Sequence, residues 1–280
     1  MRITPIMIAL IIVVVIAAAV TALILSMWSA SFMNYVYDYR DLVNNGSFTA
    51  SYNSSYVEFI EAGENDQGPF QCFESSQYSV GPINGSRAVV TTEEILCPSY
   101  SAFRIVMQRM AYWINGTSIC SAVHAIINNH SVGSINCLSP GTYPLLRVYM
   151  PFTMLLGNAT FKFTTNEYSI NYSVTTHIHY VNTTKWHDQT VHCFQVIGKY
   201  YYGTSQGVGM VYESNVTEFL CLLPNGLPAT TVFNDIIMVK PLQSNTTTRI
   251  SMQGRSTLIS YTLNYFNATA FRELISTTGS

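Results

Sequence analysis

The pattern of apolar and polar positions separates an uncharged N-terminal run from a long region of alternating segments. No residue from Ile3 to Tyr37 carries a charge, and Ile6 to Leu25 is almost entirely Ile, Val, Leu, Ala and Met. About 20 such residues, at about 1.5 Å each, span a hydrocarbon core of about 30 Å. Trp28 follows where the far interface should lie. The pattern therefore predicts a transmembrane helix and a short cytoplasmic tip within residues 1–37.

The few charges near this run predict its orientation. Arg2 and the amino terminus are the only positive groups before it, and the positive-inside rule keeps them in the cytoplasm. A cleaved secretory signal is the alternative, because Ser29-Ala30-Ser31 could be cut, but the apolar core is longer than such signals have. We therefore expect a single-pass protein of a cell membrane or virion envelope with an extracellular C-terminal ectodomain.

Strand patterns dominate the ectodomain. The segments Phe48–Tyr52, Tyr168–Val174 and Ile259–Tyr265 alternate and are rich in β-branched or aromatic residues. One segment, Ala102–Ile114, shows an apolar stripe at helical spacing, with Ser101 as a candidate N-cap. The sequence predicts a helix there, with the stripe facing the core.

A repeated cysteine frame predicts how the ectodomain is divided. Gln71-Cys72-Phe73 begins a stretch that ends at Leu96-Cys97, and His192-Cys193-Phe194 begins one that ends at Leu220-Cys221. Similarity in fixed order indicates duplication. The predicted fold class is a mainly β (β-rich α+β) ectodomain, in two tandem disulfide-bonded units on one N-terminal transmembrane helix. The predicted boundaries are residues 44–156 for the first unit, 157–270 for the second and 271–280 for a tail.

The chain has 6 cysteines, and all of them follow the apolar run. An even count on one side of a membrane is typical of disulfides in an oxidising compartment. The repeated frame predicts that each of its two halves closes one bridge, which leaves a third pair within the first unit. The predicted bridges are Cys72–Cys97, Cys193–Cys221 and Cys120–Cys137.

Asn-X-Ser/Thr sequences are more frequent than the Ser and Thr content alone would give. They are acceptors for N-glycosylation, which is a modification of exterior surfaces. The alternative is a surface that is merely rich in Asn and Thr. The predicted acceptors are Asn45, Asn53, Asn84, Asn115, Asn129, Asn158, Asn171, Asn182, Asn215, Asn245 and Asn267.

Composition excludes some functions. Charged residues make up 10% of the chain, the net charge is −2, and there is no basic run, which argues against nucleic acid as a partner. The 15 acidic residues are scattered and form no recognisable carboxylate pair. We find no phosphate-binding loop and no dinucleotide fingerprint, so the sequence predicts no cofactor and no catalytic residue.

A group of histidines is the one candidate for metal chemistry. His177, His179 and His192 lie close in sequence, and zinc or copper binds imidazoles of this kind. Their spacing fits no metal signature, and the adjacent Cys193 is expected in a disulfide. Histidines that face water from a strand are therefore the alternative to a metal site.

The uncharged run from Ile3 to Tyr37 resembles the hydrophobic helix of archaeal pilins, which leads into a β-rich glycosylated head. The resemblance covers about one-seventh of the chain, and Arg2-Ile3 departs from the Lys or Arg followed by Gly or Ala of the pilin processing site. It implies a filament subunit. The low charge with many Asn, Thr and Tyr residues is also similar to surface glycoproteins of thermoacidophilic archaea and their viruses.

These features predict a membrane-anchored extracellular glycoprotein with a structural, adhesive or filament- or envelope-assembly role. Two alternatives stay open: an accessory subunit of a redox or metal-handling complex, and a surface receptor for a ligand or glycan. The expected partners are the lipid bilayer, copies of the chain and other envelope proteins. Phe32, Met33 and Val36 share one helical side, which either packs against other copies or folds back on the ectodomain.

Overall fold

A twelve-stranded antiparallel sheet forms the body of the protein. The computed structural model describes residues 32, 34–62, 66–99, 105–115, 118–127, 129–138, 159–164, 169–204, 210–241 and 247–278. The strands are β1 (Phe48–Ala62), β2 (Gln67–Ile83), β3 (Ser86–Leu96), β4 (Ile105–Asn115), β5 (Ser118–Ile127), β6 (His130–Leu138), β7 (Ala159–Thr164), β8 (Ser169–Trp186), β9 (Gln189–Thr204), β10 (Met210–Leu222), β11 (Pro228–Pro241) and β12 (Thr248–Leu263).

The sheet consists of two up-and-down halves of six strands. Its order is β6-β5-β4-β3-β2-β1-β12-β11-β10-β9-β8-β7, so the pairing of β1 with β12 joins the halves. The sheet is strongly curved. The indole Nε1 of Trp186 on β8 donates to the carbonyl of Leu258 on β12 at 3.2 Å, although three strands separate them in the sheet.

An N-terminal helix, α1 (residues 34–44), packs on one face of the sheet. Its apolar side chains recur at helical spacing, and Tyr39 and Val43 are buried against β1, β2 and β3. Phe32, just before it, is buried against Phe194 with ring centroids 4.8 Å apart. The guanidinium of Arg87 donates to the Val43 carbonyl, which suits the negative end of the helix dipole.

A glycine allows α1 to approach the loop after β10. Gly226 has φ of 79°, and a Cβ there would collide with the Tyr35 carbonyl and with Tyr39. A side chain at this position would therefore strain the backbone and displace the helix.

A C-terminal helix, α2 (Ala268–Thr278), covers the other face. The Asn267 side chain accepts from the Ala270 amide at 3.1 Å and caps its first turn. Phe271 and Leu274 are buried, and each such burial stabilises by about 1.5–3 kcal/mol. They lie on small residues of successive strands, which let the helix approach the sheet closely: Ala88, Ala111 and Ala122.

Two sequence predictions about the fold are wrong. One continuous sheet replaces the two tandem units on a transmembrane helix, because β1 and β12 pair along their whole length. The predicted helix at Ala102–Ile114 is strand β4 where the structure describes it, from Ile105. Its apolar residues imitate a helical stripe because β4 is an interior strand with apolar contacts on both faces: Ala111 packs toward α2 and Tyr112 toward the α1 side.

The predicted single-pass membrane anchoring is also corrected. Within the described residues, neither helix combines the length and apolar character needed to cross a membrane. The described part of the uncharged run packs instead on the sheet through Phe32 and α1. Of the two expectations for Phe32 and Val36, the structure shows the fold-back on the chain's own sheet. Residues 1–31 of the predicted helix lie outside the described residues.

The predicted boundaries at 44–156 and 157–270 enclose β1–β6 and β7–β12 respectively. The border between them falls in a segment, 139–158, that lies outside the described residues. The exact boundary between the two halves of the sheet therefore stays a prediction. Residues 271–278, predicted as part of a tail, belong to α2.

Candidate functional site

The pairing of neighbouring strands places five carboxyl groups on one face of the sheet, which we call the carboxyl face. Directly paired residues of antiparallel strands share a face. Glu74 pairs with Ser54, Ser54 with Ser256, and Ser256 with Thr231, so this face continues from β2 across β1 and β12 to β11. The same face carries α1 at one end of the sheet. Its acidic residues are Glu58, Glu74, Glu93, Glu218 and Asp235.

The first carboxyl cluster, Glu58, Glu74 and Glu93, lies on β1, β2 and β3. All three side chains are half-buried. Burial raises the pKa of each, and burial together with the nearby Glu74 raises the pKa of Glu93 to about 7. A hydrogen bond from Ser76 partly offsets the rise in the pKa of Glu74. Glu93 therefore takes up a proton near neutral pH.

Tyrosines line the space between the first carboxyl cluster and α1. Tyr52 is buried, and its ring meets that of Tyr78 edge-on with centroids 5.8 Å apart. Burial and the neighbouring carboxylates raise the pKa of Tyr56 to about 12. Phenol hydroxyls of this kind stay neutral at physiological pH and bring no positive charge to the carboxyl groups.

The second carboxyl cluster, Glu218 and Asp235, lies on β10 and β11. Glu218 is only 7% exposed, and burial followed by the charge of Asp235 raises its pKa to about 8. Burial raises the pKa of Asp235 to about 6. Within the described structure, Glu218 Oε2 and Asp235 Oδ1 are buried and have no hydrogen-bond partner. Buried polar atoms without partners are costly, which marks this pair as a candidate functional site.

The described strands bring few basic side chains to the carboxyl face. Arg87 is on the carboxyl face, but its guanidinium binds the carbonyls of Val43 and Gly46 at the end of α1. Arg249 pairs with Glu61 on the opposite face at 2.9 Å, and Lys185 is exposed beside the β8–β9 turn. Among the strand residues whose side chains are described, the other cations take the opposite face by register: Arg109, Lys199, Lys240 and Arg255.

A groove of about 370 Å³ lies on the opposite face, between β3–β5 and the end of α2. Arg109 and His124 are directly paired in its floor, and Arg109 lies 3.6 Å from the Glu273 carboxylate. His124 Nε2 shares a hydrogen bond with Ser131 Oγ at 2.9 Å. Met107 and Ile126 give the groove an apolar side, so its lining suits a small amphipathic ligand.

The structure does not bring the three candidate histidines together. His177 pairs with Ile197 and His179 with Gln195, which places both on the face opposite to His192. The His192 ring packs 5.7 Å from the Tyr35 ring of α1. Among the described residues, no group of three or more His, Cys, Asp or Glu side chains is placed to hold a metal ion.

All three cysteine pairs that the sequence frame predicts are joined as disulfides. Cys120 pairs directly with Cys137, and Cys193 with Cys221, in the strand register. Cys72 on β2 is joined to Cys97, which follows Leu96, the partner of Phe73. Each bridge therefore fixes the register of one hairpin: β2–β3, β5–β6 or β9–β10.

Most acceptor asparagines whose surroundings are described are accessible. Asn267 is half-buried because it caps α2. For Asn115 and Asn171 the strand position alone is described, and Asn158 and Asn245 lie outside the described residues. The exposed acceptors are Asn45, Asn53, Asn84, Asn129, Asn182 and Asn215.

No protein-family model matches this sequence, and no curated protein matches it either. Solved structures align with low similarity. The attachment invasion locus protein Ail of Yersinia pestis, solved with the heparin analogue sucrose octasulfate, has 7% identity and a TM-score of 0.20, covering 76% of this chain and 99% of its own. The β domain of the Bordetella autotransporter BrkA has 7% identity and a TM-score of 0.22, covering 75% and 98%.

The translocator domain of the autotransporter NalP from Neisseria meningitidis aligns with 7% identity and a TM-score of 0.18, covering 83% of this chain and 97% of its own. Likenesses this low define neither a family nor an activity. The resemblance to archaeal pilins, and to archaeal or viral surface glycoproteins, is corrected. The described part of the pilin-like run packs on the chain's own sheet, and no family model or curated protein of either kind matches the sequence.

Sequence reasoning missed the carboxyl face. Its acidic residues are up to 177 positions apart, from Glu58 to Asp235, and only the strand register places them together. A local signal was present. In β10, residues 214, 216, 218 and 220 are buried and the residues between them are more accessible, so Glu218 occupies a core position of its strand.

Proposed function

We propose that the protein is a structural or adhesive surface glycoprotein that acts outside the cytoplasm, with the twelve-stranded sheet as its scaffold. One observation carries this proposal: all six cysteines are joined in hairpin-locking disulfides. Bridges of this kind form and persist in oxidising compartments. Three locked hairpins suit a rigid scaffold better than an enzyme that must open and close.

The exposed acceptor asparagines support the same compartment. Asn53 and Asn215 lie on the face opposite to the carboxyl face, and Asn84 and Asn129 lie in hairpin turns. Glycans at these positions would project from the sheet without disturbing its core. They would also keep much of the opposite face hydrated.

The coarse class, a surface protein of structural or adhesive kind, is compatible with the attachment protein among the aligned structures, although that likeness does not carry the proposal. The proposed partners are copies of the chain or other envelope proteins. Association through Phe32 is not part of the proposal, because this side chain is already buried on its own sheet.

A receptor for a small ligand or glycan is the second candidate function. The groove on the opposite face favours it, because Arg109 and His124 offer hydrogen-bond donors beside the apolar Met107 and Ile126. Binding of a small polar ligand there should be weakened by Arg109→Ala.

The compartment is tested on full-length protein purified from the cells that make it. Peptide mapping without reduction should find the three disulfides, and glycopeptide analysis should find glycans at Asn53 and Asn215. Electron microscopy and binding to immobilised cell surfaces should then show ordered assemblies or attachment. Reduced cysteines and bare asparagines in that material would contradict the proposal.

A further inference from the structure

The three disulfide bridges differ in how far their cysteines are exposed to solvent. Cys120 is fully buried, but its partner Cys137, on β6, is exposed. The four cysteines of the other two bridges are each at most 4% exposed: Cys72, Cys97, Cys193 and Cys221. A thiolate opens a disulfide by attacking one of its sulfur atoms, so access from solvent favours attack on the Cys120–Cys137 bridge.

The Cys193–Cys221 bridge is the matched comparison. Both bridges join directly paired residues of the two strands of one hairpin. The hairpin β9–β10 lies inside the sheet between β8 and β11, whereas β6 is the last strand at one end of the described order. The two bridges therefore share their chemistry and their pairing, and they differ in exposure and in their place in the sheet.

Strand β6 buries few side chains against the sheet. The five residues from His130 to Ser134 are exposed, and Ile135 is partly buried against the apolar side of α2. Ser131 Oγ shares a hydrogen bond with His124 Nε2 of β5 at 2.9 Å, at an exposed position. Side chains that stay in water contribute little to burial, so β6 is held mainly by its backbone pairing with β5 and by the disulfide.

Strand β5 has the opposite character. Seven of its ten residues are apolar: Ile119, Cys120, Ala122, Val123, Ala125, Ile126 and Ile127. One side of its backbone pairs with β4 and the other with β6. An apolar strand at the edge of a sheet, with open backbone donors and acceptors, pairs readily with another chain. Loss of β6 would therefore expose a side of β5 that fits another strand.

We propose that the Cys120–Cys137 bridge is a redox clasp: its reduction by a dithiol releases β6 and lets β5 pair with β5 of a second copy. Strand β5 contains no Asp, Glu, Lys or Arg, so a symmetric antiparallel pairing brings no like charges together. The inference rests on the proposed function, since it needs a compartment in which the bridges form and in which copies of the chain meet.

The reaction balances with the dithiol as the only co-reactant. One thiolate of the dithiol attacks Sγ of Cys137, the disulfide bond breaks, and Sγ of Cys120 leaves with the electron pair and takes up a proton. The second thiolate of the dithiol then attacks the dithiol sulfur of the mixed disulfide. Cys137 leaves and is protonated, and the dithiol becomes a disulfide, so two electrons pass to the protein.

The first test identifies the bridge that opens first. The full chain, purified with its bridges intact, is treated with dithiothreitol under native conditions, trapped with iodoacetamide and mapped by mass spectrometry. Cys120 and Cys137 should be alkylated on the order of tenfold faster than Cys193 and Cys221, because access to a sulfur limits the exchange. Equal rates, or earlier opening of the Cys193–Cys221 bridge, would overturn the proposal.

Hydrogen exchange on the chain reduced only at this bridge tests the release of β6. The amides of β6 should lose their protection, whereas those of β9 and β10 should keep it. Light scattering should then find a dimer, in which the amides of β5 remain protected. Protection of β6 that survives the reduction would overturn the proposal.

Paired variants separate the clasp from the mere loss of a bridge. Cys120→Ser with Cys137→Ser should dimerise without reductant, and the further change Val123→Lys should restore the monomer, because a charge on an edge strand opposes pairing. Cys193→Ser with Cys221→Ser is the control and should stay monomeric. A chain that remains monomeric after β6 is released overturns the proposal and leaves the scaffold function intact. Reduced cysteines in native material would contradict that function instead.

Discussion

The two carboxyl clusters lie on the same face of one sheet, yet they differ in what surrounds them. Glu58, Glu74 and Glu93 are half-buried, and Ser76 donates a hydrogen bond to Glu74. Glu218 is deeply buried beside Asp235, and an oxygen atom of each acid has no partner among the described residues. The first cluster can remain partly solvated when it ionises, whereas Glu218 cannot. The burial of Glu218 therefore separates the clusters more than their charge does.

The raised pKa values predict that the stability of the folded chain decreases as the pH rises. Burial raises the pKa of both clusters in the folded state, so the folded chain holds protons that the unfolded chain has released. Their unfavourable contribution is absent below the ordinary carboxyl pKa of about 4. It grows as the pH rises, until about pH 7 for Glu93 and about pH 8 for Glu218.

The largest loss in the free energy of unfolding is expected from removing the disulfide beside either cluster. Cys193→Ser with Cys221→Ser frees the hairpin that carries Glu218, and Cys72→Ser with Cys97→Ser frees the one that carries Glu74 and Glu93. The closed loops are of similar length, with separations of 28 and 25 residues, so each pair of changes should lower the free energy of unfolding by about 2–5 kcal/mol. Urea unfolding measures the free energy of both double variants. A loss confined to one hairpin would show that the two halves of the sheet do not unfold together.

A change in the free energy of unfolding of comparable size and opposite sign is expected at the second cluster. Glu218→Gln removes a buried charge and keeps the shape of the side chain. In EDTA near pH 8 it should raise the free energy of unfolding by about 3–5 kcal/mol, from the rise in the pKa of Glu218 to about 8 at about 1.4 kcal/mol per pKa unit. The gain should vanish near pH 4, where the glutamic acid is already neutral. An equal gain at both pH values would mean that packing, and not charge, is responsible.

The smallest effect is expected at the first cluster. Glu93→Gln should raise the free energy of unfolding by about 1–2 kcal/mol near pH 8, because solvent screens part of its charge. Chemical denaturation at acid and alkaline pH checks the value, with the exposed Glu94→Gln as a matched control that should change little. A gain as large as that of Glu218→Gln would remove the contrast between the clusters.

The sequence predicts much of the local structure and little of what depends on register. The alternating segment Phe48–Tyr52 lies within β1, and the repeated cysteine frame contains the disulfide pairs. The helix predicted at Ala102–Ile114 fails because periodicity cannot distinguish a helical stripe from a strand buried on both faces. The uncharged N-terminal run predicts an anchor, but its described part packs on the sheet. Sequence pattern does not reveal which partner buries an apolar side.

The carboxyl face could not be predicted because it is a property of long-range pairing. Glu58 and Asp235 come onto one face only because β1 pairs with β12 and β12 with β11. A shift of one residue in either pairing would send the acids of one half to the other face. The β-bulge opposite Ser51 and Tyr52 places an extra residue, Ile259, in β12, and no residue in the sequence predicts it.

The most direct measurement is the free energy of unfolding of the unaltered full chain in EDTA across the range from about pH 4 to about pH 8. If the carboxyl face is buried without compensating charge, this free energy falls steadily with rising pH, and Glu218→Gln shows a shallower fall. If it stays constant or rises with pH, the carboxyl groups are paired or solvated in the folded protein, and the account of this face is wrong.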